Sequence, residues 1–106
     1  MRIILDECLP QRLLRDLSEH VVTTVARQGW AGATNGALLK CVEPDFDVFI
    51  TMDSNLAHQQ NMGSLRICLI VLHGLNSRYE TLQPLLPGIR DALRQAKPGV
   101  VFHIGD

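Results

Sequence analysis

Cysteine is scarce in this chain and poorly placed for either staples or metal. Cys8, Cys41 and Cys68 are odd in number, widely spaced and contain no C-x-x-C pair. That excludes a disulfide framework and predicts buried free thiols in a reducing compartment. No apolar run approaches the roughly 20 residues that a membrane-spanning helix needs. A single Arg followed by an acidic residue within the first six positions does not suit a signal peptide. The expectation is a cytoplasmic protein with no membrane partner. Neither sign of charge dominates: 10 Lys and Arg against 11 Asp and Glu leave a net charge of -1, so no global basic field draws the chain to nucleic acid and any RNA contact must come from a local patch. Repeats, linkers and low-complexity segments are absent as well.

What is present is an apolar fraction of 46% in 106 residues, enough to bury a core without disulfides or structural zinc, and a length that suits one domain spanning 1–106. β-Type apolar runs alternate with helical patterns, which argues for βαβ units and a mostly parallel sheet. The first strand covers Arg2 to Leu5. Pro10 opens a helix with Leu13, Leu14 and Leu17 facing inward, and His20 to Val25 reads as the second strand. After the loop Gly29-Trp30-Ala31-Gly32, Thr34 or Asn35 caps a helix carrying Leu38, Leu39 and Val42. Glu43-Pro44-Asp45 stops it. Asp47 to Met52, nearly all apolar apart from Thr51, and Ile67 to Leu72 read as central strands covered on both faces. A short helix at Ser54 to Gln60 lies between them. Ser77-x-x-Glu80 has the form of a capping box, Pro84 and Pro87 break or kink the helical segment after it, and a last helix carries Leu85, Leu86, Ile89 and Leu93. Val100 to Ile104 closes the sheet at an edge. The fold class is therefore α/β: a three-layer α/β/α sandwich with a mostly parallel sheet of about five strands. The order 2-1-3-4-5 would place Asp6 and Asp53 side by side at the switch point.

Those two carboxylates carry the functional signal. Each follows a strongly apolar strand, and side chains at the carboxyl ends of parallel strands converge on the edge where open α/β sheets bind ligands. Close carboxylates repel unless they share a proton or a divalent cation, and hard oxygen ligands suit Mg²⁺ or Mn²⁺. Each acid also has an ordinary explanation, as a helix cap near Pro10 or before Asn55. Glu7 adjoins the first acid. Asn35 and Asn55 are amides near the expected edge, although capping also accounts for Asn35. Arg12 and Arg15 follow Asp6 on the helix, where a guanidinium fork can reach phosphate, with a solvated face the plainer role for Arg15. His58 lies beyond Asn55 but, as one histidine without a Cys partner, makes no zinc site. His20, His73 and His103 are scattered and receive no role. Gln59, Gln60 and Asn61 form an amide-rich end to the short helix, available to substrate or partner or simply exposed. Trp30 can act as a lid, stack on a base or anchor an interface. Glu43, Asp45 and Asp47 belong to the opposite edge as solvated turn residues.

Taken in order, Leu5-Asp6-Glu7-Cys8-Leu9-Pro10, Gly29-Trp30-Ala31-Gly32 with Asn35-Gly36-Ala37-Leu38-Leu39, and Thr51-Met52-Asp53-Ser54-Asn55-Leu56 with Gln59-Gln60-Asn61 resemble a small bacterial PIN-like domain, of the group related to VapC-type toxins. The resemblance runs from Met1 to about Leu72. It implies a PIN-type α/β/α fold and a Mg²⁺- or Mn²⁺-dependent ribonuclease, the toxin of a type II toxin–antitoxin pair. Asp6 and Asp53 would be metal ligands and catalytic acids with Glu7 assisting. Asn35, Asn55, Arg12, His58 and Gln59 would lie around the metal or the RNA. The implied partner is a small helical DNA-binding antitoxin. The apolar residues of Pro84 to Gly88 and Trp30 also suggest a surface for a homodimer. Two departures stand out: Asn35 replaces an acid that relatives tend to carry, and Leu72-His73-Gly74 stands where a late acid is usual. A PIN-like module that only binds protein is therefore one alternative. A receiver-like phosphoacceptor domain is another, since an acidic pair after the first strand and an aspartate after the third also occur there, but His73 and Gly105-Asp106 occupy the places of its Ser/Thr and Lys.

Overall fold

Ile3, Ile4 and Leu5, buried after the exposed Arg2, form the first strand, β1 (Arg2–Leu5), and the chain then returns by α1 (Arg12–Asp16) to β2 (Val21–Thr24). A second crossover through α2 (Asn35–Val42) leads to β3 (Val48–Thr51) on the other side of β1. β4 (Cys68–His73) comes next, then α3 (Tyr79–Leu82), a 3₁₀ turn at Gln83–Leu85, α4 (Leu86–Arg94) and β5 (Val101–Gly105). This computed structural model describes residues 1–56 and 65–105. The five strands form one parallel sheet of order β2-β1-β3-β4-β5, the arrangement expected from the alternation of strand and helix.

Successive strand residues point to opposite faces, and both faces are covered. On one side Ile3, Leu5, Val48, Ile50, Ile70 and Leu72 pack with Leu13 and Leu17 after β1 and with Leu82, Leu86, Ile89 and Leu93 near the C-terminus. On the other, Ile4, Phe49, Leu69 and Val71 meet Leu38, Leu39 and Val42 of α2, together with Leu56. β3 is buried at every position. This two-sided burial leaves the carboxyl ends of the strands as the place where polar side chains can collect.

Several local expectations are corrected. Pro10 precedes α1 rather than opening it; Gln11 is the N-cap residue and uses no side-chain cap. The capping box at Ser77 and Glu80 does not form. Asn76 Oδ1 instead accepts from the Arg78 N–H at 3.0 Å and from Thr81 Oγ1 at 2.6 Å, which satisfies the entry to α3 one residue early. Cys8 and Cys41 are exposed and only Cys68 is buried, because Cys8 lies in the turn after β1 and Cys41 outside the Leu38–Leu39–Val42 stripe of α2. In the segment Pro84 to Gly88, Leu86 is buried and Leu85 packs on the core, a Cβ at Gly88 would come within 2.9 Å of Ile104, and Pro84 and Pro87 are exposed. Trp30 packs edge-on against Phe46, with ring centroids 6.3 Å apart. The expected helix at Ser54 to Gln60 extends outside the described residues. Among those residues, no helix is long and apolar enough to cross a membrane.

Phe49 is fully buried and central, so Phe49→Ala is expected to destabilise the fold by about 3–5 kcal/mol. Leu75→Ala, at a side chain 99% exposed, is expected to change stability by less than about 0.5 kcal/mol. Urea unfolding midpoints at unchanged m-value check both.

Candidate metal and acid site

β1 and β3 are neighbours with Leu5 opposite Ile50, so the chain leaves the sheet at one edge after both strands. The ladder carries on one step further, with the Asp6 N–H donating to the Ile50 carbonyl at 2.9 Å. By strand alternation Asp6 shares a face with Ile4, and Thr51 shares one with Phe49, which is the side covered by α2.

Thr51 organises what lies there. Its side chain is fully buried. The hydroxyl donates to Asp6 Oδ2 at 2.6 Å and accepts from the Asp53 N–H at 3.0 Å. One oxygen therefore fixes the first carboxylate and the backbone that carries the second. Asp6 Oδ1 accepts from the Glu7 N–H at 2.8 Å. Asp53 Oδ1 accepts from the Asn55 N–H at 3.0 Å, and Oδ2 from Asn35 Nδ2 at 3.0 Å. Each of the four carboxylate oxygens thus has one donor among these groups and, with about four lone-pair sites per carboxylate, retains capacity for a further ligand.

α2 starts beside Asp53. Thr34 is its cap, accepting from the Ala37 N–H at 3.4 Å, so the Asn35 side chain is not needed there and reaches the acid instead. The positive end of the helix favours negative charge nearby and opposes the repulsion between the two carboxylates. Asp6 caps no helix, as α1 begins at Arg12 with Gln11 as its N-cap residue. Asp53 does serve its local turn, through Asn55 and through its carbonyl, which accepts from the Leu56 N–H at 3.2 Å. It joins that ordinary duty to a place in the cluster.

The remaining sequence candidates separate clearly. Glu7 and Asn55 are exposed and join through their backbone N–H groups. The Arg12 guanidinium lies 4.0 Å from the centroid of the Tyr79 ring, whose hydroxyl donates to Asp16 Oδ2 at 2.6 Å; the arginine is thereby held against an aromatic face. Arg15 is exposed. His58, Gln59, Gln60 and Asn61 lie outside the described residues. Asp47 is at the opposite edge as expected, but it ties the sheet together: its carboxylate accepts from the Arg2 N–H at 2.8 Å. Among the described residues, no group of three or more His, Cys, Asp and Glu gathers as a metal cluster.

Two features escape a reading of the sequence. Thr51 has a visible signal, as the one polar residue in an otherwise apolar strand, but its partners are not apparent there. His73 and His103, which look scattered along the chain, meet at 2.8 Å; nothing in the sequence marks this, because it depends on how β4 and β5 align. Cys8 lies close enough to the acids to feel them. Burial of its sulfur, despite the exposure of the residue as a whole, pushes the thiol pKa up from 9.0. The charges of Asp6 and Asp53 push the same way, against a Met52 backbone hydrogen bond that favours the thiolate. Comparison with protein-family models, curated proteins and solved structures finds no match to the chain.

Thr51→Val keeps the shape but strands a carboxylate oxygen and an N–H, so it is expected to cost about 1–3 kcal/mol, with Thr51→Ser close to the native protein in thermal and urea unfolding. Since the thiolate is the reactive form, Cys8 is expected to alkylate more slowly at neutral pH than a free cysteine and faster in Asp6→Asn; peptide mapping after timed iodoacetamide treatment reads both.

Proposed function

We propose that the chain is a Mg²⁺- or Mn²⁺-dependent endoribonuclease with a PIN-like site, acting in the cytoplasm as the toxin of a type II toxin–antitoxin pair. The observation that carries this reading is the linkage of Asp6 and Asp53, 47 positions apart in the sequence, through the single Thr51 hydroxyl. The donor set fits the cation. Magnesium is commonly held by one or two carboxylates and keeps several waters, and both aspartates have lone pairs left for it.

Asp6 and Asp53 would hold the cation, which lowers the pKa of a bound water and neutralises charge on a scissile phosphate. Thr51 orients Asp6 and keeps its oxygen from rotating away. Asn35 holds Asp53 with a neutral donor where a third carboxylate would add repulsion. Arg12, kept against Tyr79, offers a fixed guanidinium for the RNA backbone. The antitoxin, a small helical DNA-binding protein, would cover the acidic edge.

One observation favours a second reading, a PIN-like module that binds a partner without cleaving RNA. Asn35 occupies the position of an expected acid, and no group of three or more metal-ligating residues gathers among the described residues. The receiver-like alternative shares the strand order, but β4 ends at His73 and β5 at Gly105, without the hydroxyl and the lysine which that chemistry uses.

Expression of the chain alone is expected to arrest bacterial growth, and the purified protein to cleave RNA only with Mg²⁺ or Mn²⁺. Asp6→Ala and Asp53→Ala are each expected to lower cleavage by about a hundredfold or more and to relieve the arrest, with folding verified by circular dichroism. Addition of Mg²⁺ is expected to accelerate Cys8 alkylation in the native chain by offsetting the charge of the two acids. Arrest that persists unchanged in both variants supports the binding-only module instead.

A further inference from the structure

His73 closes β4 and His103 lies in β5, one strand further from the acids, and neither takes part in the proposed cleavage chemistry. The register places His103 opposite Val71 and His73 opposite Gly105. Val71 belongs to the α2 side of the sheet, so His73, two residues on, and His103, its neighbour across the ladder, project to that side as well. His73 Nε2 and His103 Nδ1 stand 2.8 Å apart. The ring centroids are 5.1 Å apart and the ring planes tilt by 32°. With the centroids separated by much more than the nitrogens, the imidazoles meet edge to edge and direct ring nitrogens at one another rather than stacking.

The pair is held by rigid surroundings. Both residues belong to hydrogen-bonded strands, and the strands are tight at this point: Gly105 has a φ of +94°, and a Cβ there would lie 2.3 Å from the His73 carbonyl oxygen. Only glycine permits that approach. No carboxylate among the described residues forms an ion pair with either ring, so the pair is not an ordinary histidine–acid contact. Without a cation the two rings must share one proton, one nitrogen donating and the other accepting. If both nitrogens present lone pairs, with each proton moved to the other nitrogen of its ring, the same geometry converges on a cation. In a tetrahedral zinc site with Zn–N bonds of about 2.0–2.1 Å, two such nitrogens stand about 3.3–3.4 Å apart. A rotation of the rings that opens the spacing by roughly half an ångström provides that bite.

We propose that His73 Nε2 and His103 Nδ1 form a binding site for a divalent cation of the Zn²⁺ class, with water completing the coordination. Imidazole nitrogen suits zinc, nickel and copper, whereas carboxylate oxygen suits magnesium and manganese. The molecule thus offers two chemically distinct cation sites at one sheet edge, and the histidine site stands whether or not the chain cleaves RNA. A two-residue site keeps positions open for water or for a group of a bound ligand.

Calorimetric titration of the reduced full chain with ZnCl₂ is the test. One equivalent is expected to bind the native chain, with MgCl₂ unable to compete. His73→Gln and His103→Gln are each expected to weaken zinc binding by about tenfold or more, while Asp6→Asn and Cys8→Ser retain it. Undiminished binding in both histidine variants overturns the proposal, as does loss of binding in Asp6→Asn or Cys8→Ser, which would move the ion to the acids or the thiol. Long-range ¹H–¹⁵N imidazole spectra of the unsubstituted chain give an independent reading: zinc is expected to shift His73 and His103 together, and unchanged resonances at saturating metal also refute the site.

Discussion

The polar groups of the sheet are constrained by the burial of β3 and β4 on both faces. All four residues of β3, and β4 from Cys68 to Leu72, are buried, so a side chain in the middle of the sheet must be apolar or bring its own partner. Helices cover the two faces because β1, β3 and β4 each offer apolar side chains to both. Within the sheet, charge is therefore confined to the strand ends and the loops beyond them. The carboxyl edge is where those ends combine with the start of α2, and the cluster of Asp6, Thr51, Asp53 and Asn35 forms there.

Thr51 is the exception that shows the rule at work. A buried hydroxyl without partners costs free energy; this one has both an acceptor and a donor, and satisfying it ties the remote Asp6 carboxylate to the backbone that carries Asp53. The Asn35 amide and the α2 N-terminus then offset the resulting concentration of negative charge. The adjacent Cys8 thiol has its pKa raised first by burial and further by the same two charges. Packing, hydrogen bonding and electrostatics are therefore not separate features of this edge: the apolar strands force the polar groups together, and the polar groups are arranged so that each has a partner.

Much of the architecture was legible, since strand and helix periodicities are properties of short segments. The apolar runs at Ile3 to Leu5 and Val48 to Ile50, the leucine stripe of α2 and the proline break before Leu86 all carry their signal in adjacent residues. The strand order also emerged, because crossover connections and one buried sheet leave few arrangements. What failed was decided by neighbours that local patterns do not name. Ser77 lost the capping position to the Asn76 side chain. Cys8 falls in the turn after β1 and Cys41 outside the buried stripe of α2, so both residues are exposed. Of the site, both aspartates were legible as acids ending apolar strands, whereas Asn35 read equally well as a cap until Thr34 was seen to fill that role.

By itself the sequence determined that the chain forms a parallel α/β sheet with acids at the ends of β1 and β3, because hydrophobic periodicity and turn residues act over a few positions. Only the tertiary structure decided which polar atoms touch: that Thr51 serves both acids, that Asn35 turns to Asp53, and that His73 meets His103 across 30 residues. The Thr51 and histidine contacts depend on strand register to within one residue, since a shift of one turns a strand side chain to the opposite face, and the Asn35 contact depends on where α2 packs beside β3.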